Sequence, residues 1–202
     1  TTDAAGSRDN TPVVLTGSAD GTVTYGNDSV TVDASHTEEG YLMVSYSGSN
    51  SKVKLQITGS DEITYTYNLH DGYETFPLTS GSGSYTVGVF ENIEGTSYST
   101  LFTQAIDVTI QDEFGPYLYA NQYVNFSADS KVISKAMELS ASANDDLEVI
   151  ENVYNYIITN FTYDYDKAAS VQSGYLPNVH EVLASQTGIC FDYAAVMASM
   201  LR

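Results

Sequence analysis

Gly188-Ile189-Cys190-Phe191-Asp192-Tyr193-Ala194-Ala195-Val196-Met197-Ala198-Ser199-Met200-Leu201-Arg202 reads as a turn followed by a helix that opens on a cysteine. Ala, Met and Leu are strong helix formers, and the glycine two residues ahead of Cys190 permits a tight turn into the run. A helix start carries unbonded N–H groups and the positive end of the helix dipole, which favour a thiolate and offer donors to an oxyanion. Cys190 is therefore a candidate nucleophile. A buried packing residue is the commoner fate of a free cysteine, and these residues alone leave both readings open.

Upstream of this stretch the apolar residues keep a helical period. Ser127 to Ser140 predicts a first helix, capped by Ser127 or Asp129, with Val132, Ile133, Ala136 and Leu139 on one face. Asn144 caps a second, whose Leu147, Ile150, Val153, Tyr154, Ile157 and Ile158 form a broad stripe expected to be core. Pro177-Asn178 starts a short third helix through Leu183. Between them, Asp164 to Lys167 and Ser173 to Tyr175 read as loops bordering a cleft. His180 lies close before Cys190, but reads as a surface or helix-packing residue.

From Pro12 to Ile110 the period changes to two. Lys52-Val53-Lys54-Leu55-Gln56-Ile57, Glu62-Ile63-Thr64-Tyr65-Thr66-Tyr67 and Ser84-Tyr85-Thr86-Val87-Gly88-Val89-Phe90 alternate apolar and polar residues, as half-buried antiparallel strands do. Asp20-Gly21, Asp71-Gly72, Ser80-Gly81-Ser82-Gly83 and Glu94-Gly95 supply turns between them. Strands recurring about every ten residues predict an immunoglobulin-like β-sandwich. The fold class expected is thus α+β in two domains. A linker takes residues 1–11, the sandwich 12–112 and a helical domain 113–202, with the boundary at Asp112-Glu113-Phe114-Gly115-Pro116.

Composition narrows the function. The 202 residues carry 26 acidic and 7 basic side chains, a formal charge of −19, and so lack the basic face that nucleic-acid binding requires. The same charge is repelled by an anionic membrane surface, and no apolar run approaches the roughly 18 residues of a membrane span. One cysteine allows no intrachain disulfide. The 17 tyrosines, with many Ser, Thr and Gly, suit an extracellular surface, and Thr1 to Asn10 reads as a polar linker behind a removed targeting segment or tether. No metal-ligand spacing is present: His36 and His70 are expected to be exposed, and Glu38-Glu39 and Asp61-Glu62 to be solvated turns.

Gly-Ile-Cys-x-Asp-Tyr-Ala followed by Met200-Leu201-Arg202 resembles the nucleophile segment of the bacterial transglutaminase-like superfamily, a branch of the papain-type cysteine acyl-transfer enzymes. Tyr154 to Asp164, ending in Phe161-Thr162-Tyr163-Asp164, is similar to the family's preceding helix and turn. Tyr175 and Val182-Leu183 also fit. Phe76-Pro77-Leu78 followed by Gly83 to Val87 resembles sandwich modules that precede such domains in secreted proteins of Gram-positive bacteria. The resemblance implies that Cys190 is the nucleophile, that the substrate is a protein or peptide, and that no cofactor or metal is needed. It also implies a secreted or cell-surface bacterial location. The family's histidine and aspartate follow its cysteine, so residues 113–202 are expected to be the front half of a catalytic domain, inactive alone. Val196, Met197, Met200 and Leu201 would then be partly uncovered or masked by another molecule, and would drive self-association. A non-catalytic cell-surface binding or scaffold module is the alternative.

Overall fold

A computed structural model describes residues 6–202, so the first five residues of the expected linker lie outside the described residues. The chain divides into two compact units. One is Gly17–Asn121; the other joins the segment up to Thr16 with Gln122–Arg202.

The Gly17–Asn121 unit contains two four-stranded antiparallel sheets. Its strands are β1 (Thr24–Gly26), β2 (Val30–Asp33), β3 (Tyr41–Tyr46), β4 (Val53–Thr58), β5 (Thr64–Leu69), β6 (Gly72–Pro77), β7 (Gly83–Glu94) and β8 (Ser97–Val108). The first sheet has the order β1-β2-β3-β6 and the second β5-β4-β7-β8. In β4 the period of two is realised directly: Val53, Leu55 and Ile57 are buried and the residues between them are not. Its partner β7 contributes Tyr85, Val87 and Val89, and the other sheet Val32, Val44, Leu42 and Phe76. The rings of Tyr67 and Phe76 meet at 5.0 Å, so β5 and β6 share one core. Ile63 and Tyr65 do not follow the alternation inward. Ile63 lies just ahead of the edge strand β5 and Tyr65 within it, and both are about half exposed.

The expected boundary at Asp112–Gly115 falls inside this unit. A 3₁₀ turn at Gly115–Tyr117 follows it, and a Cβ on Gly115 would lie 2.4 Å from the Glu39 carbonyl oxygen. The absence of a side chain there lets the two backbones touch. Gln111 and Tyr119 also bond Glu38 and Glu39, so these acids are anchors and not free turns. His36 is mostly enclosed, with 21% of its side chain exposed, instead of standing in solvent. It bonds Asp20 at 2.8 Å and Glu39 at 3.3 Å and stacks on Tyr41. His70 is half exposed and bonds Glu74.

The second unit is helical: α1 (Lys131–Ser140), α2 (Asp146–Asn160), α3 (Tyr165–Ser170), α4 (Val179–Ser185) and α5 (Cys190–Leu201). Asp145 caps α2 by accepting from the Glu148 amide, and Asn178 caps α4 by accepting from Glu181. Residues 6–10 bind the α1–α2 turn: Gly6 donates to the Ala141 carbonyl, Arg8 pairs with Asp146 at 2.6 Å, and Asn10 donates to the Ser140 carbonyl at 2.6 Å. The broad α2 stripe is narrower than its sequence suggests. Val153 and Ile157 are buried, whereas Leu147, Ile150, Tyr154 and Ile158 are exposed, since α1 and α5 pack on only one side of the helix.

Candidate functional site

The start of α5 is built from backbone outward. Gln186, in the left-handed conformation at φ 51°, ends α4, and the chain then runs through β10 (Thr187–Gly188). This short strand pairs in parallel with β9 (Thr162–Tyr163). Thr162 donates to the Gln186 carbonyl at 2.8 Å and Asp164 to the Gly188 carbonyl at 2.9 Å. The aromatic turn at residues 161–164 is thereby fixed beside the helix start. Ile189 is extended and takes the N-cap position, and Cys190 is the first helical residue, exposed.

Gly188 serves a different purpose from the turn expected of it. The tight bend is made at Gln186, while Gly188 sits against Asp192, where a Cβ would lie 2.8 Å from the Asp192 Cβ and Oδ2. Asp192 is wholly buried. Its Oδ2 accepts from the Ile189 amide at 2.9 Å and from Lys167 Nζ at 2.7 Å, and its Oδ1 accepts from the Tyr175 hydroxyl at 2.5 Å. Lys167 Nζ also donates to the Tyr175 hydroxyl at 2.6 Å and lies 4.5 Å from that ring's centre. Carboxylate, ammonium and phenol thus close a ring of charge-assisted hydrogen bonds around Asp192, two residues past Cys190.

Burial alone would raise the Asp192 carboxyl, but the hydrogen bonds from Lys167, Tyr175 and the Ile189 amide outweigh it and hold the group below its ordinary range. Burial likewise opposes the Lys167 charge and is outweighed by Asp192 and Tyr175, so the ammonium is held above its usual value. Tyr175 is raised by burial and by its bond to the carboxylate. At neutral pH the cluster is therefore an ion pair with a neutral phenol.

Neither Asp192, Lys167 nor Tyr175 is assigned a role by sequence reasoning. Asp192 carries a readable signal, because an acid three residues past the N-cap is the second half of a capping box. Lys167 has none: α3, which presents it, is capped by Asp164 through the Lys167 amide, and reads as loop in the sequence. Aromatic rings surround the helix start. Phe191 meets Tyr123 at 5.8 Å and Tyr175 at 6.4 Å, while Tyr193 meets Phe161 at 5.6 Å and Tyr163 at 6.2 Å.

The inward face of α5 is covered. Val196 is fully buried and Met200 nearly so, against the expectation that both would be partly uncovered, because α1, α2 and α4 all pack on this helix. Leu201 is 38% exposed. His180 is exposed on α4. Among the described residues no group of three or more His, Cys, Asp or Glu could hold a metal ion, and no helix is long and apolar enough to cross a membrane.

A family model described as a transglutaminase-like domain matches residues 129–202. UPF0252 protein MJ1282 of Methanocaldococcus jannaschii is 28% identical over 72 residues, covering 33% of this chain and 20% of that protein. The chain thus spans about a fifth of the length of that relative.

Proposed function

We propose that Cys190 is the nucleophile of a thiol acyl-transfer site acting on a peptide or glutamine carboxamide carbonyl. The observation that carries this is an exposed cysteine at the first position of a 12-residue helix whose start is pinned by the buried Asp192. The thiolate adds to the carbonyl, and the free amides of the first helical turn hold the oxyanion. Collapse expels the amine, which takes up the proton given up by the thiol, and leaves a thioester on Cys190. Water then yields a hydrolase and a second amine a crosslinker, each releasing the acyl group and restoring the thiol.

The match over residues 129–202 supports the family side of this reading. By resemblance the proton carrier is a histidine oriented by an aspartate, both following the cysteine in the family. We assign His180 no part in it. We read the Gly17–Asn121 unit, with its two four-stranded antiparallel sheets, as an immunoglobulin-like sandwich, and the acidic, tyrosine-rich chain as one of a secreted or surface protein. The test uses the natural polypeptide that carries these residues. Ammonia release from protected glutaminyl-glycine, or hydrolysis of an unstructured protein such as casein, is expected and is abolished by Cys190→Ala. Activity unchanged in Cys190→Ala would refute Cys190 as the nucleophile, and no activity in the wild-type protein would leave the surface binding module as the better reading.

A further inference from the structure

We propose that Lys167 and Tyr175 are positioning residues for the Cys190 thiol, acting through Asp192. The inference rests on the reading of Cys190 as a nucleophile. A cap alone would explain an acceptor at position 192, since Asp192 Oδ2 bonds the Ile189 amide and fixes the first turn. An asparagine would do the same without a charge. The buried carboxylate instead places a full negative charge two residues from the thiol, and a like charge opposes thiolate formation. Lys167 offsets that charge: its ammonium reaches Asp192 Oδ2 at 2.7 Å, with 28% of its side chain exposed. Tyr175 holds both ends of the pair, donating to Asp192 Oδ1 and accepting from Lys167 Nζ.

The pair therefore has two effects on the thiol. Mechanically, the carboxylate ties the Ile189 N–H and so fixes the first turn, whose opening amides have no intrahelical acceptor and can meet an oxyanion. Electrostatically, Lys167 cancels the charge that the mechanical anchor introduces. The segment running from Asp164 to Tyr175 is thus the rear support of the nucleophile.

Alkylation of Cys190 by iodoacetamide as a function of pH tests this without any substrate, in the full chain. In Lys167→Met the pH of half-maximal rate is expected to rise by about one unit, the usual size of one nearby charge, so that alkylation at pH 7 slows about tenfold. Lys167→Arg restores the wild-type profile. Asp192→Asn combined with Lys167→Met returns the midpoint toward wild type, because removing both charges leaves the thiol's surroundings neutral again. A purely structural role would not reverse in the double variant. Lys167→Gln, which retains a donor to Asp192, carries the same test if Lys167→Met does not fold by circular dichroism. A Lys167→Met or Lys167→Gln profile that coincides with wild type overturns the inference, as does a double variant shifted as far as the single one. The nucleophile reading fails separately, by retained activity in Cys190→Ala, whatever the alkylation profiles show.

Discussion

Asp192→Ala removes the acceptor shared by three donors, and its cost follows from what each donor can do next. The Ile189 amide lies in a residue only 7% exposed and its bond to Asp192 is buried, so losing that acceptor costs the penalty of a stranded donor, about 1–3 kcal/mol. Lys167 is less affected. Breaking a buried ion pair costs about 3–5 kcal/mol, but a side chain 28% exposed can turn its ammonium to water and keep its bond to Tyr175. The Tyr175 hydroxyl, only part-buried, loses the acceptor of its O–H but keeps the bond it accepts from Lys167. The sum expected is about 2–4 kcal/mol from the helical unit, with Asp192→Asn losing roughly half as much because its amide oxygen still accepts from Ile189. Native-state hydrogen exchange, read by mass spectrometry on α5 amides, reports this unit separately from the sheets. Exchange slowed or unchanged in Asp192→Ala, or a loss under about 0.5 kcal/mol, would refute the view that the carboxylate anchors the helix start.

Gly188→Ala should destabilise the same helix by about 1–3 kcal/mol, because the added methyl group falls 2.8 Å from the Asp192 Cβ and Oδ2, neither of which is free to move; an unchanged midpoint in urea would show that the anchor is looser than the contact implies. In the other unit, His36 keeps its proton above its ordinary value of 6.5: burial opposes the charge, and the hydrogen bonds and charges of Asp20 and Glu39 outweigh it. A raised value in the fold means that its stabilisation is complete below pH 6.5 and disappears as pH rises through the folded value. The sheets should therefore melt at lower temperature at pH 8 than at pH 6, with the difference removed in His36→Gln. Phe76→Ala, at a fully buried position, should cost about 3–5 kcal/mol in the same unit and leave α5 exchange untouched.

What could be read in the sequence was local. The period of two in Lys52–Ile57 becomes strand β4, and the Ala- and Met-rich run after Ile189 becomes α5 with Cys190 at its head. What escaped was non-local or depended on which face finds a partner. Asp192 and Lys167 are 25 residues apart, and no spacing rule links them; the parallel β9–β10 pairing and the aromatic contacts of Tyr193 bring their segments together. The α2 stripe had a helical period, yet periodicity cannot say how much of an apolar face is covered, and Leu147 and Ile158 are left in solvent. Gly188 looked like a turn residue because glycine permits turns, whereas here it makes room for a carboxylate.

An acyl group carried on the Cys190 sulfur can be trapped there. The natural protein carrying these residues is mixed with protected glutaminyl-glycine, quenched in acid within one turnover, digested, and its Cys190 peptide weighed. An acyl adduct is expected on Cys190, absent in Cys190→Ala together with all ammonia release. Ammonia release that persists in Cys190→Ala, with no adduct on the wild-type cysteine, would contradict it.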